Sequence, residues 1–501
     1  MDTLFNDPLI DAMKALPNAD EIYLVGGSVR DHFMQRTTQD LDFACKNGIE
    51  TGRRLANQLG YDFFILDRER DCCRLIRRGS DGSKAHFDIN GLRAPTIEND
   101  LLDRDFTINA MAIPISSQKL ADPCGGLADL RSRQLRMCAQ HSIHNDPLRI
   151  LRAVRFCAQF SFRMDAGLIS AIRSEIPSLA KVSAERVRDE LHKIFEGPRP
   201  ALGLDLMDKL EILEFLFPEI APLKEQAQSA PHVQNVWPHT VSVIKQLKQI
   251  MDVAANEYNE EKANADLFTG LLVLKLGRFR QQLRAHFSEQ RSEGRSRAGN
   301  LIFAALFHDI AKPGCASIED NGRIRYFGHD EAGEGTTARI AEQLKLSANE
   351  STAVSRIVRN HMRMHFLANR AEAGDLPTRK QIYRYFRKLG TEGVDLVLLS
   401  LADLRATYEQ TLTQQKWRAS LDVAEALLAA WYEQKDQIVS PPALVNGHQL
   451  MQQLGLEPSE MLGKLLEAIR EGQASGEIHT KEEALEKAKR EYVRLGNRNG
   501  Q

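Results

Sequence analysis

Between residues 20 and 116 the apolar positions fall in short runs separated by polar turns: EIYLV, LDFAC, FFILD, CRLIR, HFDIN and MAIPI. Short runs of β-branched, aromatic and aliphatic residues bounded in this way predict strands. Gly26-Gly27 ends the first run, and SVRDHFM then predicts a helix with Ser28 as its N-cap. From about Asp146 the period changes. DPLRILRAVRFCAQF and SAERVRDELHKIFEG carry apolar residues three and four apart, the spacing of a helix face. A second helical block runs from about Ile302 to Trp431. The tail from Pro441 closes with EIHTKEEALEKAKREYV, where Thr480 and Glu483 fit a capping box. Two stretches break the pattern, PLKEQAQSAPH and SEQRSEGRSRAGN, and the second, poor in apolar residues, predicts a flexible loop. The fold class expected is α+β: a small mixed-sheet head followed by a largely α-helical body.

Composition narrows this picture only a little. A chain of 501 residues suggests roughly three domains, and 43% hydrophobic with 27% charged residues excludes disordered and fibrous classes. The longest apolar runs, such as Leu301 to Phe307, fall well short of the ~18 residues of a spanning helix, so no membrane segment is expected. MDTLFNDPLI has neither a basic n-region nor an apolar h-region, and no secretion signal is expected. Seven cysteines without a CxxC pair suggest reduced thiols in a cytoplasmic protein. A net charge of −2 means that any polyanionic partner must meet local basic surfaces.

Candidate chemistry starts at Gly26, Gly27 and Ser28, with Arg30 in the first helical turn. Glycines at a strand-to-helix turn let the backbone approach a phosphate closely. On a strand, Asp40 and Asp42 share one face while Leu41 and Phe43 share the other. Paired carboxylates of this kind repel unless a divalent cation lies between them, and Mg²⁺ suits such oxygens together with phosphates. A solvated strand face would be the better explanation of the pair if it stood without the upstream Gly-Gly. Asp88, in HFDIN, offers a third carboxylate with either a structural or a metal role. A Gly-Gly loop, a helix and then a DxD strand together form the layout of a nucleotidyltransferase palm.

Downstream, Arg104-Asp105 precedes an apolar stretch. Asp146, Arg149, Arg152 and Arg155 recur at steps of three, which predicts one polar stripe on a helix. Asp and Arg side chains can present acceptors and bidentate donors to base edges. LVGGSVRD, DLDFA, RDFTINAMA and DPLRILRAVRF, in this order, resemble the motif series of the class II tRNA nucleotidyltransferase and bacterial poly(A) polymerase family. The resemblance covers roughly residues 20–220. It implies that Asp40 and Asp42 hold Mg²⁺ and that Gly27 and Arg30 contact the triphosphate. It also implies that Arg104, Asp146, Arg149, Arg152 and Arg155 bind the nucleotide, with Asp146 and Arg149 reading the base of CTP or ATP. The segment Asp122 to Leu130 resembles the family's turn between head and neck. SAERVRDEL resembles a neck helix in which Glu185 and Arg188 would be structural.

A second constellation lies in the helical body. Trp237-Pro238-His239-Thr240 is followed by the apolar LIFAALF and then His308-Asp309. His329, His361 and Asp403 come later. The order H…HD…D, with ALFHDIAKP, resembles the HD phosphohydrolase superfamily. That resemblance implies metal ligation by His239, His308, Asp309 and Asp403, with His329 and His361 completing a two-metal variant. Imidazoles suit Mn²⁺, Fe²⁺ or Ni²⁺ as well as Mg²⁺ here. Some family members carry an HD domain with phosphatase, 2′-nucleotidase and 2′,3′-cyclic phosphodiesterase activity on RNA ends. Between His239 and His308 lies a polar insert with Arg278, Arg280, Arg284, Arg291, Arg295 and Arg297. It reads as a solvated loop, or as a contact to RNA phosphates.

The expected organisation is a head over 1–140, a neck over 141–222, an HD domain over 223–436 and a helical tail over 437–501. The expected activity is template-independent addition of CCA to tRNA 3′ ends from CTP and ATP, with an HD-site phosphohydrolase. Restricted CC- or A-addition, poly(A) synthesis, or an HD-centred RNA-end hydrolase with a nucleotide-binding head are the alternatives.

Overall fold

A computed structural model describes residues 7–36, 40–79, 83–117, 119–255 and 266–496. The chain divides into two compact units: residues 1–190 with 206–215, and residues 191–205 with 216–501.

All six apolar runs of the first unit form strands: β1 (Tyr23–Val25), β2 (Asp40–Cys45), β3 (Asp62–Asp67), β4 (Cys72–Arg78), β5 (Lys84–Gly91) and β6 (Ala112–Pro114). They make one mixed sheet in the order β3-β4-β5-β2-β1-β6. Only β2 and β5 run parallel, with Asp42 opposite Asp88. β4 pairs antiparallel with β5 and sets Arg74 opposite Asp88 on the other side. The alternation expected for β2 is present, since Leu41 and Phe43 are buried and Asp40 is exposed. On the apolar face Phe43, Phe87, Ile89 and Leu75 join Leu9 and Met13 of the helix Pro8–Lys14 and Leu55 of the helix Gly48–Leu59 in one core. Burial of such side chains, about 1.5–3 kcal/mol each, holds the carboxylate-bearing strands in register.

The helix after Gly26-Gly27 starts differently from the expectation. It runs Gly27–Phe33, with Gly26 as the N-cap at φ +65° and ψ −128° and no side-chain cap. Only glycine takes that backbone conformation readily. Ser28 lies inside the helix, buried. Its hydroxyl accepts from the Asp42 N–H at 2.8 Å and lies 3.4 Å from the Asp40 carbonyl. Ser28 is thus a clamp on β2.

The polar stripe also departs from a single helix. The helix spans Arg149–Phe160, and Asp146 precedes it in an extended conformation. Pro147 supplies the reason, because a residue before proline is pushed out of the helical region. Phe156 packs edge-on against Phe106 and stacks with Phe160. The neck helix Ala184–Glu196 begins after Ser183.

In the second unit the helix Arg297–Phe307 is buried almost throughout and is surrounded by helices such as Val236–Ala255, Ala348–Asn360 and Glu392–Tyr408. Over its described residues, the polar insert is not a solvated loop. Gln290–Ser292 and Arg295–Ser296 form a short hairpin, and its arginines turn inward to carboxylates. Arg295 is buried in a bidentate pair with Glu350, Arg297 binds Asp395 and Glu289, and Arg291 binds Glu392. Arg278 pairs with Glu425 and Glu433, and Arg284 donates to the Ala255 carbonyl. These side chains are committed to carboxylates and carbonyls of the fold. A local sequence window cannot show this, because most of those partners lie 55–150 residues away.

The tail forms helices Gly447–Leu454, Glu460–Ser475 and Lys481–Gly496 around a core of Val445, Leu450, Leu465, Ile469 and Ile478. Thr480 and Glu483 cap the last one as expected. Among the described residues no helix is long and apolar enough to cross a membrane.

Candidate functional site

In the first unit the sheet's carboxylates and the Arg149–Phe160 helix border one open cleft of about 570 Å³. Gly26, Gly27, Arg30, Asp42, Asp88, Arg104, Asp146, Arg149, Arg152 and Arg155 all line it. Asp40 is not among the lining residues; it is exposed, with His86 Nδ1 3.5 Å from its Oδ1. Burial and the adjacent Asp88 carboxylate push the Asp42 carboxyl up to about 6. This is the electrostatic signature of crowded carboxylates that favour a cation. Asp88 is not an open third ligand, because Arg74 holds both its oxygens at 2.7 and 2.8 Å.

The arginines named in this lining are each held by a partner. Arg30 is buried over the rings of Phe160 and Phe156 at 4.7 and 5.3 Å. It donates to Asn109 Oδ1 at 2.7 Å and to both oxygens of Asp31. Arg104 is tied to Asp100. Arg152 binds Asp105 through two nitrogens at 2.9 and 2.5 Å, and Asn109 donates to the other oxygen of Asp105 at 3.0 Å. Burial alone would raise Asp105, but Arg152 and Asn109 hold its carboxyl below the ordinary value. Arg149 donates to Ser142 Oγ at 2.7 Å and to the Asp103 carbonyl at 3.0 Å. A continuous polar chain therefore runs from Arg152 through Asp105 and Asn109 to Arg30, fixing the helix against the Gly-Gly loop.

The neck helix supplies two residues that sequence reasoning passed over. Arg186 binds both oxygens of Asp146 at 3.2 and 2.9 Å, and buried Glu190 accepts from Arg155 Nε at 2.5 Å. Arg186 and Glu190 are four apart and so lie on one helix face. That spacing was the available signal. Of the two residues expected to be structural there, Arg188 bonds its neighbour Asp189.

In the second unit the six expected residues converge in a buried cluster. His239, His308 and Asp403 offer three ligand atoms within 4.8 Å of one another, and Asp309, His329 and His361 offer three more. Asp309 joins the two groups. Its Oδ2 lies 3.2 Å from His308 Nε2 and 3.8 Å from His239 Nε2, and its Oδ1 lies 3.5 Å from His329 Nε2 and 3.7 Å from His361 Nε2. The Nδ1 atoms of His308, His329 and His361 each meet a backbone carbonyl at 2.7 Å, which aims Nε2 inward. His239 Nε2 faces Asp403 Oδ1 at 3.1 Å and His308 Nε2 faces Asp309 Oδ2 at 3.2 Å, both buried and in poor hydrogen-bonding geometry. Burial pushes the His361 imidazole down to about 3, so it is neutral and able to ligate. Burial would raise Asp309 and Asp403, but His308 and Lys312 hold the first well below the usual range, and His365 and His239 the second.

Three further groups complete this cluster. His365 Nε2 is 2.8 Å from Asp403 Oδ2, and Lys312 Nζ is 2.6 Å from Asp309 Oδ2. The His232 ring lies 4.9 Å from that of His239. His365 falls one helical turn after His361, and Lys312 one turn after Asp309, so both were within reach of a spacing argument.

Comparison with known proteins places this geometry. Residues 22–136 match the poly(A) polymerase head domain, and 161–224 match a probable RNA- and SrmB-binding site of polymerase A. Residues 337–488 match the putative domain 2 of tRNA nucleotidyltransferases. The A-adding tRNA nucleotidyltransferase of Deinococcus radiodurans is 31% identical over 467 residues, covering 92% of this chain and 93% of that protein. The CC-adding tRNA nucleotidyltransferase of Thermus thermophilus is 28% identical, covering 93% and 92%. The fold is that of the Thermotoga maritima CCA-adding enzyme complexed with tRNA, with a TM-score of 0.56 over 97% of this chain and 96% of that one at 19% identity. A motif series, a fold and a relative matched nearly end to end agree, and the chain belongs to the tRNA nucleotidyltransferase and poly(A) polymerase family.

Proposed function

We propose that the first unit adds CMP and AMP to tRNA 3′ ends to complete CCA, and that the second unit's cluster is an HD-type, metal-dependent phosphoester hydrolase acting on RNA ends. One observation carries the first reading: Asp42 on β2 lines a cleft together with Asp88, Asp146, Arg149 and Arg152, and Asp40 precedes it by two on the same strand. In the transfer the tRNA 3′ hydroxyl attacks the α-phosphorus of the nucleotide, and the bond to the departing pyrophosphate breaks. Asp40 and Asp42 would hold Mg²⁺, which when bound neutralises the triphosphate and favours the attacking alkoxide. Their fit rests on Asp42 standing opposite Asp88 in the parallel register, two residues from Asp40, where burial and the Asp88 carboxylate raise the Asp42 carboxyl. Gly26 lets the backbone pass close to the phosphates. Asp146, oriented by Arg186, and Arg149, oriented by Ser142, present acceptor and donor to the base in place of a template strand.

A second reading, A-addition alone, is favoured by the name of the 31% identical relative. Purified protein given tRNA lacking its 3′ CCA, with labelled CTP and ATP, should add two C residues and one A. Addition of A only to tRNA ending in CC, with no use of CTP, would establish the second reading. Arg186→Ala frees Asp146, and discrimination against UTP should fall by roughly 10-fold, within the ~1–3 kcal/mol of a bidentate base contact. Competition between CTP and UTP measures this.

For the second cluster, the buried ring nitrogens of His239 and His308, turned toward the Asp403 and Asp309 carboxylates in poor hydrogen-bonding geometry, fit a resident cation. His239, His308, Asp309 and Asp403 would hold one ion, with His329 and His361 the ligands left for a second. Mn²⁺, Fe²⁺, Ni²⁺ or Mg²⁺ bound there acidifies water. Lys312, paired with Asp309 Oδ2 and held by Gln228 Oε1 at 2.7 Å, brings a positive charge to the border of the cluster.

A further inference from the structure

Two more arginines line the same cleft as Asp42 and Gly27: Arg70, from the turn between β3 and β4, and Arg93, just past β5. Neither is neutralised as the other lining arginines are. Among the described residues no hydrogen bond or ion pair holds the Arg93 guanidinium. Arg70, its side chain 76% exposed, meets Asp67 of its own turn at 3.7 Å. Their backbones, by contrast, are fixed. Asp67 Oδ1 accepts from the Glu69 and Arg70 N–H groups at 2.9 and 3.1 Å. The Asp71 carbonyl accepts from the Gly91 N–H at 2.9 Å, which ties this turn to the end of β5. The Arg93 N–H donates to Asp100 Oδ1 at 3.0 Å, and the other oxygen of Asp100 holds Arg104. Burial raises the Cys72 thiol and the Arg93 charge opposes it, which sets that charge beside the start of β4, two residues from Arg70.

The two ends of the carboxylate row differ. β1 runs antiparallel to β2 with Leu24 opposite Phe43, so Gly26 and Gly27 leave the sheet at the Asp40–Asp42 end. A Cβ on Gly27 would stand 3.7 Å from Asp42 Oδ2. β5 runs parallel to β2 with Gly91 opposite Cys45, so Arg93 lies beyond the other end. Three residues of strand, about 10 Å, separate Asp42 from that end. In an in-line displacement the attacking oxygen and the departing pyrophosphate stand on opposite sides of the α-phosphorus. With the triphosphate on the glycine loop, the second anion of the reaction, carried by the attacking molecule, comes from the Arg93 end. We propose that Arg93 and Arg70 bind the last phosphodiester of the attacking RNA strand and so position its 3′ hydroxyl. The inference rests on the nucleotide-addition reading of this cleft. A phosphodiester carries one negative charge on two free oxygens, which a forked guanidinium meets through paired N–H donors. Arg152 and Arg155 are already neutralised by Asp105 and Glu190, whereas Arg93 keeps its charge for such a contact.

Steady-state addition by the full chain with Mg²⁺ is the test, varying tRNA at saturating nucleotide and then nucleotide at saturating tRNA. Arg93→Gln should raise the KM for tRNA about 10-fold, and Arg70→Gln should raise it by less, while the KM for the nucleotide stays within about twofold. Arg93→Lys should recover part of the loss, since the charge returns without the fork. Each lost contact should also flatten the fall of kcat/KM for tRNA with salt, by about 0.7 in log–log slope. A raised KM for the nucleotide, alone or together with that for tRNA, overturns the assignment and gives the two arginines to the triphosphate. Neither KM moving in the Arg70→Gln, Arg93→Gln double variant overturns the subsite while nucleotide addition stands. A raised KM for tRNA with the salt slope unchanged marks a structural loss and overturns the phosphate contact. A wild type that adds no nucleotide to any tRNA overturns the addition reading and the subsite with it.

Discussion

Asp42→Ala abolishes nucleotide addition, with a loss of about 10³-fold or more, the equivalent of roughly 4 kcal/mol in the barrier. Asp42 occupies the middle of the carboxylate row, between exposed Asp40 on its own strand and Asp88 across the parallel register. Removing it takes away the buried charge for which a cation would compete, and leaves Asp40 too exposed to hold an ion alone. The fold should survive, because Asp42's backbone is pinned by Ser28 and its neighbours Leu41 and Phe43 keep the strand in the core. Single-turnover incorporation of labelled ATP into tRNA measures the loss, and unchanged thermal unfolding separates it from misfolding. Residual addition within tenfold of wild type would remove Asp42 from the metal site. Ser28→Ala should give a smaller version of the same defect, since it loosens the strand that carries both carboxylates.

The strand runs of the head were legible because each is bounded by turn residues and alternates or runs apolar within five or six positions. The pairing of those strands was not. Asp42 meets Asp88 across 46 residues, and Arg74 reaches Asp88 only because β4 folds back on β5. A third carboxylate was visible in HFDIN, but its partner was not. Spacing gave the Asp–Arg stripe and missed that Pro147 puts Asp146 outside the helix, where Arg186 takes hold of it. The cluster of the second unit was legible through its histidines and aspartates, which have few other reasons to recur in an apolar helical block. His365 and Lys312 escaped because they fall outside the H…HD…D order. The arginine insert misled for a plain physical reason. Polar residues in sequence read as solvent-facing, and only three-dimensional pairing shows that Arg295 and Arg297 face carboxylates inside.

Glu350→Ala should destabilise the second unit by about 3–5 kcal/mol, the usual cost of removing one partner from a buried ion pair. Glu350 is fully buried, holds Arg295 through both oxygens, and closes a capping box on Ser347 at the start of its helix. The alanine removes both carboxylate oxygens that hold the buried Arg295 guanidinium and the side-chain half of the capping box, leaving only the Ser347 hydroxyl on the helix end. At roughly 2–4 °C per kcal/mol, the transition of that unit should fall by about 10 °C in thermal unfolding. Pairing Arg295→Met with Glu350→Leu should recover much of the loss, because apolar replacement of both partners removes the stranded charge. No recovery would mean that the capping box, not the ion pair, carries the stability. Acid titration gives an independent check. Although burial alone would raise it, hydrogen bonds from Arg295 and Ser347 hold the Glu350 carboxyl down at about 2, against an ordinary 4.5. A depressed carboxyl contributes fully above its ordinary value and loses that contribution as pH falls toward the folded one. The stability gap between wild type and Glu350→Gln should therefore be constant from neutral pH down to about 5 and close between there and pH 2. A gap that widened on acidification would reverse the sign and place the charge elsewhere in the buried network.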